Sequence, residues 1–179
     1  MSVFEPTPPP PRIAALEATD SAAAQALMEA FARELALEGV AVAGVVQTHV
    51  VDPATGRKRI ALRNLENGAL YAISQDLGPG SVACNLDSSQ LADACAAIER
   101  AARAGAGLVV VSKFSKQEAE RGGLADAFRA AMLAKIPVLT AVSPYFLEEW
   151  RAFAGPLARF TPLDRQALRE WWEAARAAT

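Results

Sequence analysis

The segment SKFSKQEAERGG (112–123) gathers Lys113, Lys116 and Arg121 around Glu118 and Glu120, and two of the chain's four lysines fall within it. Cations at this spacing suit an anionic ligand, while Glu118 suits a metal ion, an oriented water or general-base work. A solvated charged turn is the other reading, because charge runs commonly just face water. A second candidate is DLGPGSVACNLD (76–87), entered from Gln75 and Asp76. Gly78 and Gly80 there can expose backbone amides as an anion-binding nest, with Ser81 as a hydroxyl donor and Cys84 as a soft ligand. Gly-Pro-Gly is otherwise a tight turn, and Cys84 has no second thiol close in sequence to make a redox pair. Gln47 and His49 stand at the end of an apolar run, where the imidazole is a base, a metal ligand or merely an exposed ring. Thr19, Asp20 and Ser21 precede a long helical stretch, and either they cap that helix or its N-terminus holds a small anion.

Side chains so far apart in sequence meet only if the fold carries them to one edge. RIAALEA (12–18) reads as a short strand, and the alanine- and leucine-rich stretch to Glu38 reads as a helix. Leu27, Phe31 and Leu35 step by four along it, and Gly39 sits at the C-cap position. VAVAGVVQTHV (40–50) is nearly continuous in small and β-branched residues, as a strand covered on both faces requires. DPATGRK and ENG are turn signals around short extended runs, which predicts a β-hairpin excursion. A helix capped by Asp87 or Ser88 follows, with Leu91, Cys95, Ile98 and Ala102 on one face, so Cys95 reads as a small buried hydrophobe. LVVVSKF (108–114), the helix LADAFRAAMLAK and the strand PVLTAV (137–142) complete a third α/β cycle. This alternation predicts a three-layer α/β domain with a mostly parallel sheet. Its ligand edge is then formed by 18–23, 47–49, 75–87 and 112–123.

The C-terminal stretch holds Trp150, Trp171 and Trp172, which either anchor helices to the sheet or, as an exposed pair, mark a dimer interface. Five prolines between Pro6 and Pro11 prevent a helix from starting there, so residues 1–11 are expected to form a flexible arm and 12–179 one domain. At 179 residues and 52% hydrophobic composition the chain can bury one core and no more. Forty alanines fit a helix-rich protein. A net charge of -2 removes the basic footprint of a general nucleic-acid binder, so no nucleic-acid partner is expected. Two cysteines and one histidine cannot supply a four-ligand zinc site, and no metal site is assigned. MSVFEPTPPPPR lacks the basic start and apolar stretch of a signal peptide, and no apolar run is long enough for a bilayer. The expectation is a cytoplasmic protein without a membrane partner.

The first strand-to-helix loop is where a nucleotide-binding P-loop would place GxxxxGK[ST]. The chain reads EATDSAAA (17–24), with Glu17 and Ala22 at the glycine positions and Ala23 and Ala24 at the lysine and hydroxyl positions. Charge compensation for phosphate and a magnesium-coordinating hydroxyl are both missing, and Glu17 would repel a triphosphate.

Four pieces in order, GVAVAGVVQ (39–47), ISQDLGPGSVACNLD (73–87), LVVVSKFSKQEAERGGL (108–124) and IPVLTAVSPYFLEEW (136–150), carry a family resemblance. The chain resembles an uncharacterised bacterial domain family related to the P-loop nucleoside-triphosphatases, whose members are often encoded beside molybdate-uptake genes. The resemblance implies a P-loop-like α/β fold. It also places Ser112 and Lys113 where an acidic Walker-B pair would be, with only Glu118 matching the following glutamate. It therefore permits nucleotide binding while both catalytic motifs are eroded. The first functional expectation is a non-hydrolysing binding or accessory protein that takes a small oxyanion such as molybdate, or a nucleotide, in molybdenum metabolism. The second is a phosphohydrolase or nucleotidyl-handling enzyme, with Glu118 as base and Lys113 and Lys116 on phosphate. The third is an interaction module using Trp171 and Trp172, toward a second copy or a molybdenum-pathway protein.

Overall fold

The computed structural model describes residues 10–75 and 85–178. Strand β1 (Ile13–Glu17) leads into helix α1 (Ser21–Leu37) and then β2 (Val42–Val51), β3 (Lys58–Asn64) and β4 (Leu70–Ala72). A short ribbon of β5 (Ser74–Gln75) and β6 (Asn85–Leu86) precedes α2 (Ser88–Arg103), β7 (Leu108–Phe114), α3 (Lys116–Ala119) and α4 (Ala125–Leu133). The chain continues with β8 (Val138–Val142), α5 (Leu147–Ala154), β9 (Ala158–Thr161) and α6 (Arg165–Ala177).

Seven strands form one sheet in the order β4-β3-β2-β7-β8-β1-β9. β2, β7, β8, β1 and β9 run parallel, while β3 and β4 are antiparallel additions at one edge. The result is the three-layer, mostly parallel α/β architecture of the P-loop nucleoside-triphosphatase type. One face packs Val109, Val111 and Val138 against Leu91, Ile98, Phe128 and Trp150 of α2, α4 and α5. The other packs Leu16, Val110 and Leu139 against Met28, Phe31, Leu35, Trp171 and Trp172 of α1 and α6.

Each predicted helix forms for a visible reason. Asp20 and Asp87 cap α1 and α2 through side chains that accept first-turn N–H groups. The buried stripe of α1 is Ala24, Gln25, Met28, Phe31, Ala32 and Leu35, while Leu27 only flanks the core. α6 is held to α1 by Arg165 and Arg169, which donate to Glu34 and Glu38, with the Arg169 guanidinium 5.6 Å over the Phe31 ring. Trp171 donates its indole N–H to the Pro11 carbonyl.

Three details depart from the sequence reading. Gln47 and His49 do not form a loop, because β2 continues to Val51 once β3 replaces β7 as its partner. The C-terminal region contains an edge strand, β9, as well as helices. The tryptophan pair is not an exposed interface: Trp171 and Trp172 are 1% and 3% exposed, buried because α6 lays its apolar face on the sheet. The basis for an interaction module built on that pair is thereby removed. No helix among the described residues is long and apolar enough to cross a membrane.

Candidate functional site

In a parallel sheet, ligands enter where neighbouring strands send their helices to opposite faces. Here that point lies between β1, followed by α1 on one face, and β8, followed by α5 on the other. It is zipped shut. Ala18 N, just past the end of β1, donates to Val142 O at the end of β8 at 3.0 Å. At the start of α1, Asp20 Oδ1 accepts from Ala23 N at 3.0 Å, so the chain's own carboxylate sits where a phosphate would meet the helix. Thr19 is exposed and Ser21 half-buried beside it.

The edge opens instead between β2 and β7. Their parallel pairing ends at Gly44 and Val110, after which β2 turns to β3. β7 then bulges: Val111 pairs with Thr140, but the next matched pair is Phe114 with Val142, so one extra residue is inserted around Ser112 and Lys113. Bulges of this kind re-aim a side chain and recur beside binding sites. Gln25 spans the resulting gap from α1. Its Nε2 donates to Ser112 O at 2.6 Å and its Oε1 accepts from Gln47 N at 2.8 Å, with the residue 6% exposed. One amide thus satisfies both strands where their ladder has separated.

Beyond this bridge lies a cavity of about 130 Å³ lined by Gln47, Ser112, Lys113, Ser115, Gln117 and Glu118, with Ile60, Leu62, Ile73, Leu91 and Leu124 as its apolar wall. Glu118 is 5% exposed and turned to backbone. Its Oε2 accepts from Ser115 N at 3.1 Å and from Ser115 Oγ at 3.4 Å, and its Oε1 accepts from Leu124 N at 3.0 Å. This is a capping box on α3 extended by one further amide. Gly123 permits it, since at φ +55° a Cβ there would lie 2.3 Å from Glu118 Oε1.

Burial pushes the Glu118 carboxyl above its ordinary value of 4.5, outweighing the hydrogen bonds that favour the anion. The folded state therefore binds this proton more tightly than the unfolded chain. Its contribution is fully present below the unfolded value and is lost as pH rises through the folded one. Glu118→Gln, which does not titrate, is expected to flatten that fall; urea midpoints of both proteins across pH 4 to 8 would show parallel curves if the account were wrong.

A family profile described as "Protein of unknown function (DUF2478)" matches residues 13–171, nearly the whole domain. The chain belongs to the DUF2478 family. Among curated proteins, the DUF2478 chain is similar to the molybdenum import ATP-binding protein ModC 2 of Bradyrhizobium diazoefficiens, at 36% identity over 163 residues. That match covers 91% of this chain and 18% of the relative, so the chain spans less than a fifth of that protein's length. No solved structure matches.

Of the residues singled out in the DUF2478 sequence, the fold brings Gln47, Lys113 and Glu118 to one cavity. Lys116 is exposed on α3, and Arg121 lines a larger groove of about 520 Å³ with Phe114 and Phe153, which shares Glu118 with the cavity. His49 is exposed on the β2–β3 ribbon opposite Ile60, and Gln75 pairs its backbone with Asn85. Asp76, Gly78, Gly80, Ser81 and Cys84 lie outside the described residues. Cys95 is buried on α2, where desolvation and the neighbouring Glu99 push its thiol up to about 11. Gln25 was missed. Its signal was a polar residue within a stripe otherwise filled by Ala24, Met28, Ala32 and Leu35.

Proposed function

We propose that this DUF2478 chain is a non-hydrolysing binding or accessory domain in molybdenum handling, a degenerate P-loop-like unit that takes a small oxyanion such as molybdate, with a nucleotide as the second ligand class. The observation that carries the reading is the Asp20 carboxylate hydrogen-bonded to Ala23 N at the head of α1, followed by alanines where a lysine and a hydroxyl would be required. A triphosphate there would meet a like charge and no cation. Glu118 is equally unsuited to be a base, because its oxygens are engaged by Ser115 and Leu124. The similarity to part of a molybdenum import ATP-binding protein supports the biological setting, with proteins of that import system as the partners.

Magnesium-ATP and magnesium-GTP are expected to be hydrolysed at background rate only. In thermal-shift titrations against molybdate, tungstate, sulfate, phosphate, ATP and GTP, an oxyanion at a hundred times its Kd is expected to raise Tm by about 5–10 °C. Magnesium-dependent turnover abolished in Glu118→Gln would overturn the reading in favour of the enzyme.

A further inference from the structure

Resting on that reading, we infer that the cavity between the carboxyl ends of β2 and β7 is the site of one tetrahedral oxyanion, with Lys113 as its cation and the Gln47 and Gln117 amides as neutral donors. Four observations converge on it. The β-bulge at Ser112 and Lys113 is the one break in the β7–β8 register, and it occurs where β7 meets the cavity. Gln25 bolts the bulged strand to β2 from the opposite face, so the opening is fixed by buried hydrogen bonds and not by mobile side chains.

Lys113 is half-buried and has no ion-pair partner among the described residues, unlike the arginines Arg59, Arg63, Arg165 and Arg169, which are engaged with carboxylates. Lys113 lines the cavity together with Leu62, Leu91 and Leu124, so an anion held there would meet a cation against an apolar wall. Among the described residues the single carboxylate lining the cavity, Glu118, is spent on Ser115 and Leu124 and does not compete for Lys113.

Size then selects the ligand class. About 130 Å³ is room for roughly four waters at about 30 Å³ each, enough for a central atom with four oxygens. Pockets that enclose drug-sized ligands start near 300 Å³, so the cavity takes an oxyanion whole and no more than the phosphate end of a nucleotide. The site thus belongs to an oxyanion, and the same shape admits molybdate, tungstate, sulfate and phosphate, whose order of affinity identifies the source.

Calorimetric titration of the full chain with each of the four oxyanions and with ATP tests this, using wild type, Lys113→Met and Gln117→Leu. Lys113→Met keeps the aliphatic stem and removes the charge. It is expected to weaken oxyanion binding at least about tenfold, the loss of one charge-assisted hydrogen bond, while the unliganded Tm stays within about 2 °C of wild type. Gln117→Leu, at a half-buried position lining the cavity, is expected to weaken binding about threefold and serves if the first variant fails to fold. Oxyanion binding equally tight in both variants would refute this site and leave the binding reading intact. Wild type that binds none of the four oxyanions would refute both. ATP binding tighter than that of every oxyanion and lost in Lys113→Met would refute the size argument.

Discussion

The Gly44→Ala protein is expected to lose its cooperative unfolding transition. Gly44 has φ +120°, a conformation that L side chains rarely adopt, and a Cβ built on it lies 1.9 Å from the carbonyl oxygen of Val110. Its partner cannot step aside, because β7 is held on its far side by β8. The same residue is where β2 exchanges β7 for β3, with its carbonyl accepting from Leu65 N at 2.9 Å. Backbone strain and a backbone clash together cost on the order of 4 kcal/mol or more, set against a total stability of about 5–15 kcal/mol. Circular dichroism during heating measures it. A variant that melts sharply within a few degrees of wild type would show that β2 and β7 do not approach as described.

Gln25→Leu is expected to lower stability by about 3 kcal/mol, because it strands the buried Ser112 carbonyl and the half-buried Gln47 amide at about 1–3 kcal/mol each. For a domain of this size that is a fall in Tm of about 6–12 °C. Leucine fits the same stripe of α1, so packing is largely kept and the loss isolates the bridge. Oxyanion affinity should fall in parallel as the bulge around Lys113 relaxes. Gln25→Glu, which still accepts from Gln47 N but turns a second oxygen toward Ser112 O, should be at least as destabilising at neutral pH, because it buries an uncompensated charge. A Gln25→Leu protein within about 1 kcal/mol of wild type in urea titration would mean that water replaces the amide.

Much of this architecture was legible because local signals and tertiary need agreed. LVVVSKF and PVLTAV are apolar enough to be central strands, and Asp20 and Asp87 stand where caps belong. The hairpin was equally readable from DPATGRK and ENG. β9 was not, since ARFT is only four residues long, lies at an edge and does not alternate in burial. The length of β2 was hidden for a different reason. Strand ends are set by partners, and no local feature of Gln47 or His49 reveals that β3 is waiting.

The site was half visible. Charge drew attention to Lys113 and Glu118, but charge alone could not show that one faces a cavity and the other is consumed in a cap. Gln25 carries no charge and matches no motif. Its role follows only from the separation of β7 and β2, whose Ser112 and Gln47 it joins from outside both strands.

The place of β1 in the sheet has a consequence for synthesis. Ile13–Glu17 is almost wholly buried, yet it pairs only with β8 and β9, through Val138 and Ala158. At roughly 5–20 residues per second, the ribosome delivers the first of those partners about 6–25 s after β1 itself. For that interval the nascent chain carries an unpaired apolar strand, and no local hairpin can shelter it. Closure of the domain is therefore a late, long-range event, and until β8 arrives the growing chain exposes an apolar strand edge of the kind that chaperones cover.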